Sequence, residues 1–388
     1  MEAYNLKQIL HIISSLSAGG AEMMLYKLIS NSRNGINHKV ISLTSKGLVA
    51  EKLKRLDVPV SNLKMSKNPQ LLIKILGLRK HIKNYNPDIV QTWMYHSDLL
   101  GGLAAKLAGD YPVVWNIRHS NLNLEADKRT TIWTAKICAK LSGIIPQKII
   151  TCSKTAKQFH ADLGYDKSKI KVIPNGFDID EFKSQDGAKT SLVEELSIPE
   201  DSFLIAMVAR FNPQKDFETL FSAMEFLRDE YFDLFKKTHL ILCGNGITWD
   251  NDKLAEWIKK RELSKNVHLL GRRDDIPRIM AAVDINTLSS RSGEGFPNVI
   301  GEAMASETPC VVTDVGDAAY IVGDTGLVVN PRSPAELVKA WKQMMDLTSF
   351  ELEKLGEIAR QRIIEEFEIN KISDRYLALY ERILKYGS

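Results

Sequence analysis

Glu294 and Glu302 stand eight residues apart in RSGEGFPNVIGEAMASETPCVVTD, residues 291–314, across a Gly-Phe-Pro turn and the start of an apolar helical pattern. A helix beginning near Asn298 leaves amides of the turn Gly295-Phe296-Pro297-Asn298 at its positive end, aimed at an anion or at sugar hydroxyls. Glu302 then falls about one turn into the helix and Glu294 in the loop ahead of it, so two carboxylates face one ligand. Carboxylates accept hydrogen bonds from vicinal diols, which a ribose and a pyranose both present. The alternative is a capped helix with solvent-facing glutamates, and this stretch alone leaves both open.

Cations stand at a second loop. In VARFNPQKDFETL, Arg210 and Lys215 lie five residues apart directly after an apolar run. Arg as a fork of donors and Lys as a point charge would clamp a diphosphate; the alternative is two solvated surface charges. SAGGAE places Gly19 and Gly20 ahead of a helix starting near Ala21, either a backbone approach to a phosphate or a plain strand-to-helix turn. His96 in QTWMYHSDLLGG and Arg118 with His119 in WNIRHSNL follow two further apolar runs. Each is a candidate for hydrogen-bonding a polar substrate, and a histidine so placed can carry a proton or serve the structure alone. LILCGNGITWDN offers Gly244 and Gly246 as a turn, but Trp249 stands where a dinucleotide fingerprint needs its third glycine. No GxxxxGK[ST] loop occurs, and the Asp178–Asp180 DID lies among turn residues, which gives it a structural role.

These loops need strands and helices to hold them. Candidate strands span 8–15, 38–44, 89–92, 113–118, 148–152 and 171–173, separated by amphipathic patterns such as AEMMLYKLISNS and SDLLGGLAAKLAG. A second series spans 203–208, 239–243, 267–270, 285–288, 309–313 and 326–329. Alternation of this kind predicts parallel sheets covered by helices, an α/β class with two doubly wound domains. The Pro-, Gly-, Asp- and Ser-rich stretch 174–202 reads as the linker, and 370–388 as a final helix. In such folds ligands sit outside the carboxyl ends of the strands, which here predicts a cleft between the two domains.

At 388 residues the chain exceeds what one hydrophobic core fills, and 44% hydrophobic with 26% charged residues is ordinary for a globular enzyme. No apolar run is long enough to cross a bilayer, and the first twenty residues lack the pattern of a signal peptide. The cysteines Cys138, Cys152, Cys243 and Cys310 are scattered without CxxC spacing, which argues against zinc or disulfides and for a reducing cytoplasm. Residues 1–180 hold 26 Lys and Arg against 13 Asp and Glu, although the net charge of the whole chain is only +4. A basic first half fits an anionic partner: a membrane surface, a phosphorylated lipid or a nucleic acid. No nucleic-acid motif is present, so that class is set aside.

Taken together, SAGGAE, IPNGFD, VARFNPQKD, EGFPNVIGEAMASETPCVV and GDTGLVV resemble the retaining glycosyltransferases of GT-B fold in glycosyltransferase family 4. The most specific part is the E-x7-E pattern of Glu294 and Glu302. The resemblance implies two Rossmann-like domains facing across a cleft: an acceptor domain at 1–182, a donor domain at 183–370, and a helix at 371–388 crossing back to the first. It implies that Glu294 contacts the donor sugar and Glu302 the nucleotide ribose, with Arg210 and Lys215 on the leaving diphosphate. Backbone around Gly295, Phe296, Pro297 and Asn298 would hold the sugar, with Gly19, Gly20, Gly244 and Arg272 also at the donor. His96 matches the catalytic histidine of the first domain, and Arg118 and His119 would meet the acceptor. No cofactor and no metal are expected. Asp216 and Asp317 depart from the family, standing where relatives often carry glycine. They place the chain nearer the bacterial surface-polysaccharide (lipopolysaccharide, O-antigen, capsule) transferases.

The expected partners are a nucleotide sugar, a glycan acceptor on a lipid, and the anionic inner face of the plasma membrane. Basic amphipathic segments at 71–85 and 127–143 would attach there, the first through Lys74, Arg79, Lys80 and Lys83. Two other functions fit the same loops: a sugar-nucleotide epimerase of GT-B shape and a catalytically silent nucleotide-sugar-binding protein.

Overall fold

The computed structural model describes residues 6–17, 19–45, 47–65, 71–120, 122 and 128–387. It divides into two compact units, one built from residues 1–176 with 369–388 and the other from 177–368.

The first unit runs β1 (Gln8–Ile13), α1 (Gly20–Ser30), β2 (Asn37–Ser42), α2 (Leu48–Lys54), β3 (Val60–Asn62), α3 (Leu71–Tyr85), β4 (Ile89–Trp93), α4 (Tyr95–Ala108), β5 (Val113–Ile117), α5 (Arg129–Leu141), β6 (Lys148–Thr151), α6 (Lys154–Asp162) and β7 (Ile170–Val172). Its sheet has the order β3-β2-β1-β4-β5-β6-β7. All of its pairings are parallel. Successive strand residues serve opposite faces. Ile9, Ile13, Val40, Trp93 and Val114 pack with α1 and α2, whereas Leu10, Ile12, Ile41, Val90 and Trp115 pack with α3, α4 and α5. Burial on both faces is why these strands read as unbroken apolar runs rather than alternating ones.

The second unit runs α7 (Ala188–Leu196), β8 (Phe203–Val208), a 3-10 turn (Pro213–Lys215), α8 (Phe217–Glu230), α9 (Phe232–Lys237), β9 (Thr238–Cys243), α10 (Asp252–Lys260), β10 (Val267–Leu269), α11 (Ile276–Ala282), β11 (Ile285–Leu288), α12 (Asn298–Ala305), β12 (Cys310–Thr313), α13 (Ala318–Val322), β13 (Leu327–Val329), α14 (Pro334–Met345) and α15 (Ser349–Glu366). Its parallel sheet has the order β10-β9-β8-β11-β12-β13. The last helix, α16 (Ile369–Tyr386), belongs to the first unit, where Ile372, Tyr376, Tyr380 and Ile383 join the core shared with α1 and α2.

Two local expectations need correction. The stretch 174–202 is not linker throughout: α7 occupies 188–196 and buries Ala188, Leu192 and Val193 against β8, β9 and α11. Strand β3 was not expected, because three half-buried residues at a sheet edge carry no periodic signal. Asp178 of the DID sequence accepts the N–H groups of Asp180 and Glu181 at 3.0 Å, closing the turn there.

Candidate active site

In the second sheet β8 and β11 are neighbours, and the chain leaves them in opposite directions, toward β9 and toward β12. The loops after β8 and β11 therefore flank a topological switch point, the place where an open α/β sheet leaves a crevice. The loop after β8 carries Arg210 and Lys215. Asn212 caps the 3-10 turn by accepting the Gln214 N–H at 2.9 Å, and this delivers Lys215 at the end of the turn. Asp216 follows at φ 50°, a left-handed conformation in which glycine is the default and Asp is tolerated. Its carboxylate caps α8 through the Thr219 hydroxyl (2.9 Å) and amide (3.4 Å), so this departure from glycine has a structural reason.

The loop after β11 is held from three directions. The Arg291 N–H donates to the Gln214 carbonyl at 2.9 Å, and a side chain at Gly293 would collide with the Gln214 amide. On the far side the Asp317 N–H donates to the Gly295 carbonyl at 2.9 Å, and a Cβ at Gly316 would lie 2.8 Å from the Glu294 carbonyl carbon. Phe296 is buried, stacked on Phe177 at 6.1 Å and edge-on to Phe367 at 5.6 Å. Pro297 stands at the N-cap of α12, and Gly301 in that helix admits the Phe177 ring, which any Cβ there would overlap.

Within this frame Lys215 Nζ meets Glu294 Oε1 at 2.5 Å, with only 18% and 11% of the two side chains exposed. The Ser290 hydroxyl donates to the same oxygen at 2.5 Å. A carboxylate fixed by a cation and a hydroxyl can present its other oxygen to a ligand without reorganising.

The remaining candidates of this unit are distributed among the strand ends. Arg210 is exposed and has no ion pair among the described residues. Glu302 is half-buried, the fifth residue of α12. Gly244 directly follows β9 at φ 143°, where a Cβ would overlap the Ala209 carbonyl, so this glycine is required for the two loops to pack. Arg272 follows β10 and is exposed. Thus Lys215 and Glu294 are joined directly, while Arg210, Glu302, Gly244 and Arg272 stand at strand ends and helix starts of the same unit.

The first sheet has its own switch point between β1 and β4. Ser14 after β1 and Ser97 in α4 bring their hydroxyls to 3.1 Å there. Gly19 is the extended N-cap of α1. A Cβ on it would press on Glu22, whose carboxylate accepts the Ser15 hydroxyl at 2.9 Å, whereas Gly20 faces open space. An acidic side chain thus already shares this helix terminus. His96 opens α4 after Met94, which is held at φ 71° and ψ 154°, a conformation rarely adopted by residues other than glycine. Burial, and then the charge of Lys128, lower the His96 pKa from 6.5, so its imidazole is neutral near pH 7.

Arg118 is already engaged: it lies 5.4 Å over the Trp93 ring and donates to Asn175 Oδ1 at 2.5 Å and to the Tyr376 hydroxyl of α16. His119 packs edge-on to Tyr95 at 5.5 Å.

Two clusters were missed in the sequence. Asp98 is fully buried under α4 and accepts the Thr92 hydroxyl at 2.5 Å, and burial raises its carboxyl well above the usual range. Glu195, Arg273, Asp275 and Arg278 form an ion-pair network tying α7 to the turn before α11. The mixed charges of RRDDIPR were the available signal for it. Among the described residues no group of three or more His, Cys, Asp and Glu is placed to hold a metal, and no helix is long and apolar enough to cross a membrane.

Comparison with known proteins extends this geometry. Residues 18–181 match the model of Glycosyltransferase Family 4, and residues 188–362 match that of Glycosyl transferases group 1. The UDP-Gal:alpha-D-GlcNAc-diphosphoundecaprenol alpha-1,3-galactosyltransferase of Escherichia coli is 28% identical over 317 residues, 79% of this chain and 78% of that protein. The N,N'-diacetylbacillosaminyl-diphospho-undecaprenol alpha-1,3-N-acetylgalactosaminyltransferase of Campylobacter jejuni is 24% identical over 96% of this chain and 99% of its own. In fold, the chain superposes on Anabaena HepE, crystallised with UDP, with a TM-score of 0.83 at 23% identity, covering 96% and 99% of the two chains.

Proposed function

Since the chain belongs to the GT-B glycosyltransferases that join a Family 4 domain to a group 1 domain, we propose that it moves a sugar from a nucleotide sugar to a polyprenyl-diphosphate-linked glycan, with retention and without a metal. The observation that carries this reading is the Lys215–Glu294 pair at the switch point of the second sheet. Lys215 and Arg210 lie toward the donor diphosphate and offset the charge that grows on it as the glycosidic bond breaks. Glu294 faces the sugar and offsets the positive charge developing at its anomeric carbon. Glu302 accepts hydrogen bonds from the ribose diol, and the 295–298 backbone holds the sugar hydroxyls, with Gly244 and Arg272 lining the nucleotide side.

The bond from the anomeric carbon to the phosphate oxygen breaks as the acceptor oxygen bonds to the same face of the sugar. The acceptor proton passes to the departing phosphate oxygen, so the diphosphate leaves protonated and no protein nucleophile is consumed. His96, neutral near pH 7, hydrogen-bonds the sugar. A lipid-linked acceptor is suggested by the two bacterial relatives, both named for diphosphoundecaprenol substrates. The protein would then work as a peripheral protein at the inner face of the plasma membrane, in surface-polysaccharide assembly.

The test is turnover of a panel of UDP- and GDP-sugars with a short-chain polyprenyl-diphosphate glycan in detergent, with and without EDTA. Transfer from one donor that survives EDTA and is lost in Glu294→Ala, with an α-linked product from an α-linked donor, is expected. Loss of transfer with EDTA, or an inverted product, would overturn the mechanism. Sugar interconversion without acceptor would make the protein an epimerase instead.

A further inference from the structure

The residues around His96 are each held in place, and the His96 side chain is not. Met94 donates its N–H to the Asn116 carbonyl of β5 at 2.9 Å, and its own carbonyl accepts the Asp98 N–H at 2.9 Å. The Tyr95 hydroxyl meets His160 Nε2 at 2.7 Å, and the Tyr95 carbonyl accepts the Cys138 thiol of α5 at 3.5 Å. Ser97 is tied to Ser14 by their hydroxyls. The imidazole of His96 is half-buried and makes no hydrogen bond among the described residues. A rigid turn that leaves one side chain unspent suits a group kept for a ligand.

Asp98 is the least expected member of this turn. It is fully buried, where a carboxyl is rarely found. Its Oδ1 accepts the Thr92 hydroxyl at 2.5 Å, a bond from α4 back to β4, and its Oδ2 is buried without a partner among the described residues. Burial raises its pKa well above the carboxylate range, and the Thr92 hydroxyl and Asn116 amide pull it only partly back, so the uncharged form is favoured. The helix can lie this close because its next turn carries glycines. A Cβ at Gly101 would stand 2.8 Å from the Thr92 methyl, and one at Gly102 would stand 2.7 Å from a methyl of Ile145.

An apolar residue at position 98 would fill the same space without the cost of desolvating a polar group. What it would lack is direction. Met94 sits at φ 71° and ψ 154°, and such a backbone persists only where its surroundings over-determine it. The Asn116 carbonyl holds the amino side of Met94. Asp98 holds the other side, because its N–H is on the Met94 carbonyl while its carboxyl is on Thr92. We propose that Asp98 is a positioning residue for His96: its bond to Thr92 holds the first turn of α4 on β4 and keeps Met94 in the conformation that presents the imidazole. Asp98 acts through the backbone and does not meet the substrate. What His96 then does rests on the transferase reading.

The full chain would be compared with Asp98→Leu, Asp98→Asn, Thr92→Val and Thr92→Ser in transfer to the detergent-solubilised acceptor, with urea midpoints to show that each variant is folded. Leucine and valine keep the bulk and lose the bond, so kcat should fall about 10–10²-fold. Asparagine still accepts from Thr92 and serine still donates, so both should work nearly as the parent does. In a His96→Ala background, Asp98→Leu and Thr92→Val should lower kcat no further, since residues acting through one group are not additive. Thr238→Val removes a hydroxyl bond to the Leu234 carbonyl in the second unit and should keep kcat at whatever loss of stability. If Asp98→Leu does not fold, Thr92→Val carries the test. Unchanged kcat in the variants that lose the bond, Asp98→Asn as impaired as Asp98→Leu, or further loss on top of His96→Ala would each overturn the assignment. A second readout needs no transfer: the His96 titration, followed by NMR and identified by its loss in His96→Ala, should rise toward 6.5 in Thr92→Val as the turn loosens and burial falls. A titration that stays in place would refute the positioning role, whereas a shifted titration in a protein that transfers no sugar would leave that role standing and remove the transferase reading.

Discussion

The Lys215–Glu294 pair invites a double-mutant cycle, because its two members are held very differently. At 2.5 Å, with both side chains largely but not fully withdrawn from water, the Coulomb attraction at an effective dielectric of 20 is about 7 kcal/mol. Desolvation offsets much of that, and a net coupling of about 1–3 kcal/mol is expected for a partly buried pair. Glu294 cannot escape to solvent when its partner is lost, since its loop is fastened at Gln214 and at Asp317. Lys215 can swing out on its flexible stem. Lys215→Met should therefore cost about 2 kcal/mol, leaving the carboxylate with the Ser290 hydroxyl alone, whereas Glu294→Gln should cost about half that. Urea midpoints of the parent, both single variants and the double variant measure the coupling. Single effects that add to within about 0.5 kcal/mol would refute a net interaction. For activity, Lys215→Met should lower kcat/KM about 10²–10³-fold through kcat, as expected when a charge facing the leaving group is removed. A change confined to KM would refute a transition-state role.

Three further perturbations have defined outcomes. Gly301→Ala drives a methyl into the buried Phe177 ring, so a loss of about 1–3 kcal/mol is expected in the urea midpoint, with a raised donor KM as the Phe296 stack shifts. His160 is buried, with its Nδ1–H on the Ala156 carbonyl and its Nε2 accepting the Tyr95 hydroxyl, and burial lowers its pKa to about 4. The unfolded chain binds that proton near pH 6.5 and the native ring does not until about pH 4. Stability should therefore fall as pH drops through this window, by up to about 1.4 kcal/mol per pH unit, and His160→Gln should flatten the slope. Arg118→Met removes the partner of Asn175 and Tyr376. About 2–4 kcal/mol of stability should be lost with the acceptor KM unchanged, and a large rise in that KM with normal stability would instead assign Arg118 to the acceptor.

Strand positions were legible because burial on both sheet faces leaves continuous apolar runs: β8 and β11 have the boundaries expected from the sequence, and the others differ by one or two residues at their ends. The loops that carry Lys215, Glu294 and His96 were legible for the same reason, since a polar residue just after a buried strand must sit at a carboxyl end. Helix α7 and strand β3 were not, being short and flanked by turn residues. What no local pattern records is which residue meets which. Lys215 and Glu294 are 79 residues apart and Arg118 and Tyr376 are 258 apart. Nothing in the sequence therefore signalled that Arg118, expected at the acceptor, bonds the last helix, or that a lysine fastens one oxygen of Glu294. The sequence by itself determined the class of fold, the order of its elements and the loops where chemistry is placed, because burial periodicity is a property of each segment. Only the tertiary structure decided which distant residues pair, Lys215 with Glu294 and Arg118 with Tyr376. That pairing depends on packing that brings distant segments together, and packing acts on shapes and distances that a one-dimensional pattern does not contain.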